Sequence, residues 1–181
     1  MTSAPTQHDT FEAFKRRATE ARSVVHEFRA WDEVAALALR LADGGRVAVA
    51  SAVVEDAPGI LDAIGVQALA PGQAPAVPAG GAGGIARGTL GIAETGSVML
   101  VEERAEDRAV SMLSPIVIQV IDRDQIFASL EILLERLFKS VDGGPPTFAS
   151  LSTGPSRTAD IERSLTIGVH GPHEVHVVIL G

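Results

Sequence analysis

The feature that most narrows the folds open to this chain is the alternation of short apolar β-type runs with segments of helical period. Arg46-Val-Ala-Val-Ala-Ser51, Thr89-Leu-Gly-Ile-Ala93, Ser97-Val-Met-Leu-Val101, Ile116-Val-Ile-Gln-Val-Ile121, Thr147-Phe-Ala-Ser-Leu151 and Val175-His-Val-Val-Ile-Leu180 read as strands. Phe11, Phe14, Ala18, Ala21, Val24, Val25 and Phe28 recur at three- and four-residue steps, which predicts an amphipathic helix capped by Asp9 or Thr10 and continuing to Phe28. A second helix is expected from Asp32 to Ala42, stopped by Asp43-Gly44-Gly45, and a short one from Pro58 to Ile64. A longer helix is expected from Gln125 to about Phe138, capped by Asp122 or Asp124, with Ile126, Leu130, Leu133, Leu134 and Leu137 as its buried stripe. Strands that alternate with helices in this way indicate an α/β fold.

With 181 residues, 46% of them hydrophobic, the chain suits one compact α/β domain over 31–181, preceded by an N-terminal helical segment over 1–30. Proline and glycine punctuate Pro71 to Gly84 throughout, so that stretch is read as a loop, a linker or a lid. A formal net charge of -8 gives no overall attraction for a phosphate backbone, and nucleic acid is not an expected partner. The chain has no cysteine, which excludes disulfides, thiol nucleophiles and thiolate-held zinc or iron–sulfur sites within it. No run approaches a membrane span and the N-terminal stretch is polar, so a cytoplasmic protein is expected.

Three stretches carry residues suited to chemistry. In Thr153-Gly-Pro-Ser-Arg-Thr-Ala-Asp-Ile-Glu162, a helix or nest opening over Ser156 to Asp160 would turn free N–H groups, the Ser156 and Thr158 hydroxyls and the Arg157 guanidinium toward a carboxylate or phosphate. Asp160 would orient Arg157 or take a proton. The plainer reading is a capped helix with Arg157 paired to Asp160 or Glu162 and no ligand. In Gly91-Ile-Ala-Glu94-Thr95-Gly96-Ser97, Glu94 would serve as base or carboxylate nucleophile if desolvation raised its pKa, or it is a turn residue in water. His170, His173 and His176 are spaced by threes, but Gly171-Pro172 breaks any helix that would align them, so no metal site is expected. His170 beside the Gly171 turn reads as a binding or acid–base group, or as a structural histidine. No nucleophile elbow, Walker-type loop or dinucleotide fingerprint is present.

In this order, GIAETGSVML at 91–100, LSPIVIQVIDRDQI at 113–126, GPSRTADIE at 154–162 and GVHGPHEVHVVIL at 168–180 resemble the LUD domain of the lactate-utilisation protein C family. The resemblance covers the half of the chain from about Gly83 onward. It implies a three-layer α/β/α sandwich like that of the ribose-isomerase, glucosamine-phosphate-deaminase and CoA-transferase group. It also implies a part in a three-component system oxidising L-lactate to pyruvate, in which iron–sulfur clusters belong to partner proteins and this chain carries no cofactor. The family's loops fall on Glu94, Thr95, Gly96 and Ser97, on Gly154, Pro155, Ser156, Arg157, Thr158, Ala159 and Asp160, and on His170, Gly171 and Pro172. The expected function is a non-redox component that binds a small anion at these loops, with Glu94 and Asp160 as proton-handling groups. Acyl or CoA transfer, or sugar-phosphate chemistry, using Glu94 is the alternative by fold analogy, and an interaction module without a ligand is a third.

Overall fold

The computed structural model describes residues 6–73, 83–132, 148–159, 165–167 and 171–181. Helix α1 (Gln7–Glu20) is opened by a capping box in which Thr6 and Asp9 bond reciprocally, and it buries Phe11, Phe14 and Ala18. The helix ends there, and the apolar period that points on to Phe28 is instead taken up by strand β1 (Val24–Phe28). Val24, Val25 and Phe28 fit a helical spacing, but pairing β1 along a seven-residue buried strand satisfies their backbone and wins. Helix α2 (Trp31–Ala42) follows and ends on Asp43 in the left-handed region, as the Asp-Gly-Gly stop predicts.

The remaining elements of the main layer are β2 (Val47–Val49), α3 (Ser51–Asp56), α4 (Ile60–Ile64), β3 (Ala68–Leu69) and β4 (Gly83–Arg87). A hairpin of β5 (Leu90–Ile92) and β6 (Ser97–Val101) leads to α5 (Ala105–Leu113) and β7 (Ile116–Asp122). The chain closes through β8 (Ile126–Phe127), β9 (Ala149–Ser152), β10 (Arg157–Ala159), β11 (Leu165–Ile167) and β12 (Glu174–Leu180).

Six strands form one parallel sheet in the order β1-β12-β7-β4-β2-β3. Its strands β2, β7 and β12 are largely buried on both faces because both faces are covered. On one face α2 and α4 pack Val34, Leu37, Ala38, Ile60 and Ile64 against Val49, Ile85, Ile118, Val120 and Val178. On the other, α1 and a four-stranded sheet of order β8-β5-β6-β9 enclose Phe14, Val98, Val117, Ile121, Val177 and Ile179. The fold is therefore a mixed α/β structure with a six-stranded parallel sheet flanked by helices.

Two elements depart from the sequence expectations for stated reasons. Gly83 and Gly84 begin β4 near the middle of the sheet rather than ending a loop, because α5 crosses so close that a Cβ on Gly84 would lie 2.8 Å from Val110 Cγ1 and 2.9 Å from its carbonyl. Gln125 lies in a single 3-10 turn and Ile126–Phe127 pair with β5 as a short strand, so the predicted long helix does not start there; its part from 133 onward lies outside the described residues. Most of the expected loop, 74–82, lies outside them as well. Among the described residues no helix is long and apolar enough to cross a membrane.

Candidate functional site

Four segments far apart in sequence meet around a cavity of about 580 Å3: the end of β6, the C-terminal turn of α5, the stretch from Ser150 to Ser156, and Gly171-Pro172. It opens at the amino ends of β7 and β12, since Leu113 precedes the one and Pro172 the other. Ser111, Ser150, Ser152, Thr153 and Ser156 contribute hydroxyl-bearing residues to its lining, and Leu100, Met112, Leu113, Leu151, Pro155 and Pro172 the apolar part. Met112, Leu113 and Leu151 are among the exposed large apolar side chains of the molecule.

Local geometry holds this wall in place. Gly154 adopts φ +71, and a Cβ there would lie 2.0 Å from the Ala21 carbonyl oxygen, so only glycine lets the turn lie against the end of α1. Ser156 N–H donates to the Pro172 carbonyl at 2.8 Å, joining the two loops, and His173 N–H donates to the Pro115 carbonyl at 2.8 Å. Gln119 Nε2 donates to Ser152 Oγ at 2.6 Å from the face of the main sheet. A hydroxyl chain runs from Thr95 Oγ1 to Ser97 Oγ at 2.7 Å and on to Thr153 Oγ1 at 2.6 Å.

The structure thus brings Gly154, Pro155, Ser156 and Gly171 together on one cavity, with Ser97 and Thr95 one and two hydrogen bonds behind it. Gly96 is buried under α1. Glu94 is exposed and lines a different, smaller hollow of about 250 Å3 along α1, where Asp9, Thr10, Arg16 and Arg17 are its neighbours. The segment from Arg157 to Ala159 does not open a helix: it is β10, paired antiparallel with β11, because successive backbone groups find partners across Ile167 to Leu165. The side chains of Arg157 and Thr158 lie outside what is described, and so do residues Asp160 and His170.

Sequence reasoning passed over a buried carboxylate that bonds a residue of the cavity lining. Glu102 is only 5% exposed; its Oε2 accepts from Ser111 Oγ at 2.7 Å, and its Oε1 has no partner among the described residues. Burial pushes its pKa up to about 7; the nearby Asp107 adds to the rise, while the Ser111 hydrogen bond and Arg108 oppose it. Asp107 is buried too, accepting from the Ser51 N–H at 2.7 Å and from the Ser51 hydroxyl. Desolvation of a carboxylate, the property Glu94 would need for proton transfer, therefore belongs to Glu102. The run Glu102-Glu-Arg-Ala-Glu-Asp-Arg108 reads as a solvated charged stretch, and only the docking of α5 onto the sheet turns two of its acids inward. Among the described residues no group of three or more His, Asp or Glu side chains is arranged to hold a metal ion.

The LUD-domain family model matches residues 82–180, a span that contains β4 through β12 and all four segments around the cavity. Among curated proteins, one from Neisseria meningitidis of uncharacterised function is 33% identical over 97 residues, 54% of this chain and 41% of that one. Lactate utilization protein C of Macrococcus caseolyticus is 30% identical over 99 residues, 54% of this chain and 43% of that one. The protein of the same name from Bacillus subtilis is 29% identical over 99 residues, 54% of this chain and 41% of that one. The matched stretch thus spans about two-fifths of these relatives' length. A crystal structure of a DUF162 family protein from Deinococcus radiodurans superposes with a TM-score of 0.67 at 22% identity, over 98% of this chain and 100% of that one, and so shares the fold.

Proposed function

The chain belongs to the LUD-domain family, and from that premise we propose that it serves in lactate utilisation, as a non-redox cytoplasmic component of a system that oxidises L-lactate to pyruvate. Its task in this reading is to bind a small anionic ligand in the cavity between α5, the Ser150–Ser156 stretch and Gly171-Pro172. The observation that carries the proposal is the convergence on one cavity of hydroxyl-bearing residues from four segments that all lie within the family match. Hydroxyl and backbone donors at strand ends suit a carboxylate or phosphate. With no cysteine to hold a cluster, electron transfer in this reading falls to iron–sulfur partner proteins. Relatives named lactate utilization protein C support the pathway.

The test has two arms. The isolated chain, heated with L-lactate, pyruvate or inorganic phosphate, gains stability with at least one of them, and Arg157→Ala loses that gain while keeping its fold. A tagged chain recovered from lactate-grown cells brings iron–sulfur proteins with it, and the mixture reduces a dye in the presence of lactate. Absence of stabilisation by all three anions removes the ligand site. Recovery of the chain alone, inert toward lactate, removes the pathway assignment.

A further inference from the structure

Ser111 faces two ways. It lines the cavity, and its hydroxyl donates to Glu102 Oε2 at 2.7 Å, with the Arg108 carbonyl as a second acceptor at 3.2 Å. Glu102 stands behind it, buried, with one oxygen that has no partner among the described residues. A serine hydroxyl has one proton to give. While Glu102 is ionised, that proton is committed inward and only lone pairs remain for the cavity, backed by a buried negative charge. Once Glu102 is protonated, its own O–H can donate to Ser111 Oγ, and the serine proton is released toward a ligand.

We propose that Ser111 is a ligand-recognition residue whose hydrogen-bond polarity is set by Glu102, so that the cavity accepts a carboxylate together with one proton. The inference rests on the anion-binding reading above and adds to it which residue selects the ligand and in which protonation state of the wall. The surroundings favour such coupling. From α5, Asp107 and Arg108 face Glu102. The Asp107 carboxyl lies close by, adds to the rise at Glu102 and is held by Ser51 of α3. The Arg108 guanidinium donates to the Glu102 carbonyl at 2.8 Å and the Glu103 carbonyl at 3.1 Å, and lies over the Phe148 ring at 4.8 Å. On the β9 side, Glu102 N–H meets the Phe148 carbonyl at 3.3 Å. Burial places the carboxyl near 7, where a ligand's negative charge can tip it.

The experiment is calorimetric titration of the full chain with L-lactate at about pH 6 and about pH 8, each in two buffers of different ionisation enthalpy. Wild type should bind more tightly at the lower pH, weakening toward about tenfold per pH unit above the Glu102 pKa, with close to one proton taken up at the higher pH. Glu102→Gln places a permanent donor behind Ser111, so its affinity should be independent of pH and match wild type at the acidic end. Ser111→Ala should weaken binding at the acidic end and reduce the pH dependence to what the Glu102 charge alone imposes; a variant with wild-type affinity at the acidic end overturns the role of Ser111. Equal wild-type binding at both pH values without proton uptake overturns the coupling and leaves the anion site standing. No lactate binding at either pH by folded wild type overturns the coupling proposal, and the anion site falls with it only if pyruvate and inorganic phosphate fail to bind as well. If Glu102→Gln fails to fold, a carbon-13 titration of the wild-type carboxyl decides instead: lactate must raise the Glu102 pKa, and an unmoved value overturns the proposal.

Discussion

Ser97 Oγ stands 2.6 Å from Thr153 Oγ1, so the first residue of β6 is tied directly to the residue that follows β9. This contact joins two segments whose sequence separation is 56 residues and sets the cavity wall at Thr153 against the Glu94–Ser97 turn. Ser97 is buried and also meets Thr95, so its hydroxyl has two partners.

Replacing Thr153 by Val keeps the shape and removes the partner. Stability should fall by about 1 kcal/mol, and Thr153→Val combined with Ser97→Ala should cost less than the sum of the two, since both changes break the same hydrogen bond. Denaturant unfolding of the two single variants and the double variant measures this. Strict additivity would show that the hydroxyl pair is not coupled.

Gly96→Ala should be far more damaging. Gly96 has φ +69, and an added Cβ would lie 2.2 Å from Ala18 N within α1, so the substitution meets both backbone strain and rigid helix backbone. A loss of about 3 kcal/mol or more is expected, with α1 lifted from the turn. Gly59→Ala, at φ -82 with open space beside it, is the control and should stay within about 1 kcal/mol. Thermal melts of the two variants compared side by side give the answer.

Glu102 should make the protein less stable as pH rises. Its native pKa of about 7 lies above the ordinary 4.5, so between those values the folded state holds a proton that the unfolded chain has released. Stability is lost across that window, and above it the cost reaches about 3 kcal/mol as an upper figure. Glu102→Gln should be nearly neutral in acid and raise the melting temperature at about pH 8 by several degrees. A gain of the same size at both ends would remove the titration as its cause.

His26 acts in the opposite direction. Its Nε2 lies 2.8 Å from His176 Nδ1, and His176 Nε2 lies 2.8 Å from Glu174 Oε1, linking edge strand β1 to β12. Burial, then the neighbouring His176, then Arg40 hold the His26 pKa below the usual 6.5. The unfolded chain therefore takes up its proton first, and stability falls as pH drops from about 6.5 toward the lowered native value. His26→Leu should flatten that part of the stability profile, read by urea unfolding at several pH values. An unchanged acid slope would place the sensitivity elsewhere.

Much of the fold was legible along the chain. Runs such as Ile116–Ile121 and Val175–Leu180 could only be buried strands, and Asp43-Gly44-Gly45 could only stop a helix. The hairpin through Glu94-Thr95-Gly96 was also readable, from turn chemistry. What stayed hidden has a common cause. Val24–Phe28 and Ile126–Phe127 carry spacings compatible with either period, and strand partners brought from far along the chain decided between them. Ala105–Leu113 is so polar that its helix acquires an inner face only by docking, and Gly83-Gly84 looks like a loop until α5 is seen crossing it.

The amino-acid sequence by itself determined the class of the molecule, because hydrophobic period and turn residues act locally and leave an α/β alternation little freedom. It also settled that no thiolate chemistry resides in this chain. The tertiary structure alone decided where the cavity lies, that Glu94 stays in water along α1, and that Glu102 loses its water and gains Ser111 as its hydrogen-bond donor. Desolvation and non-local pairing depend on which distant segments share a surface, and that is a property of the packed chain, not of any stretch of it.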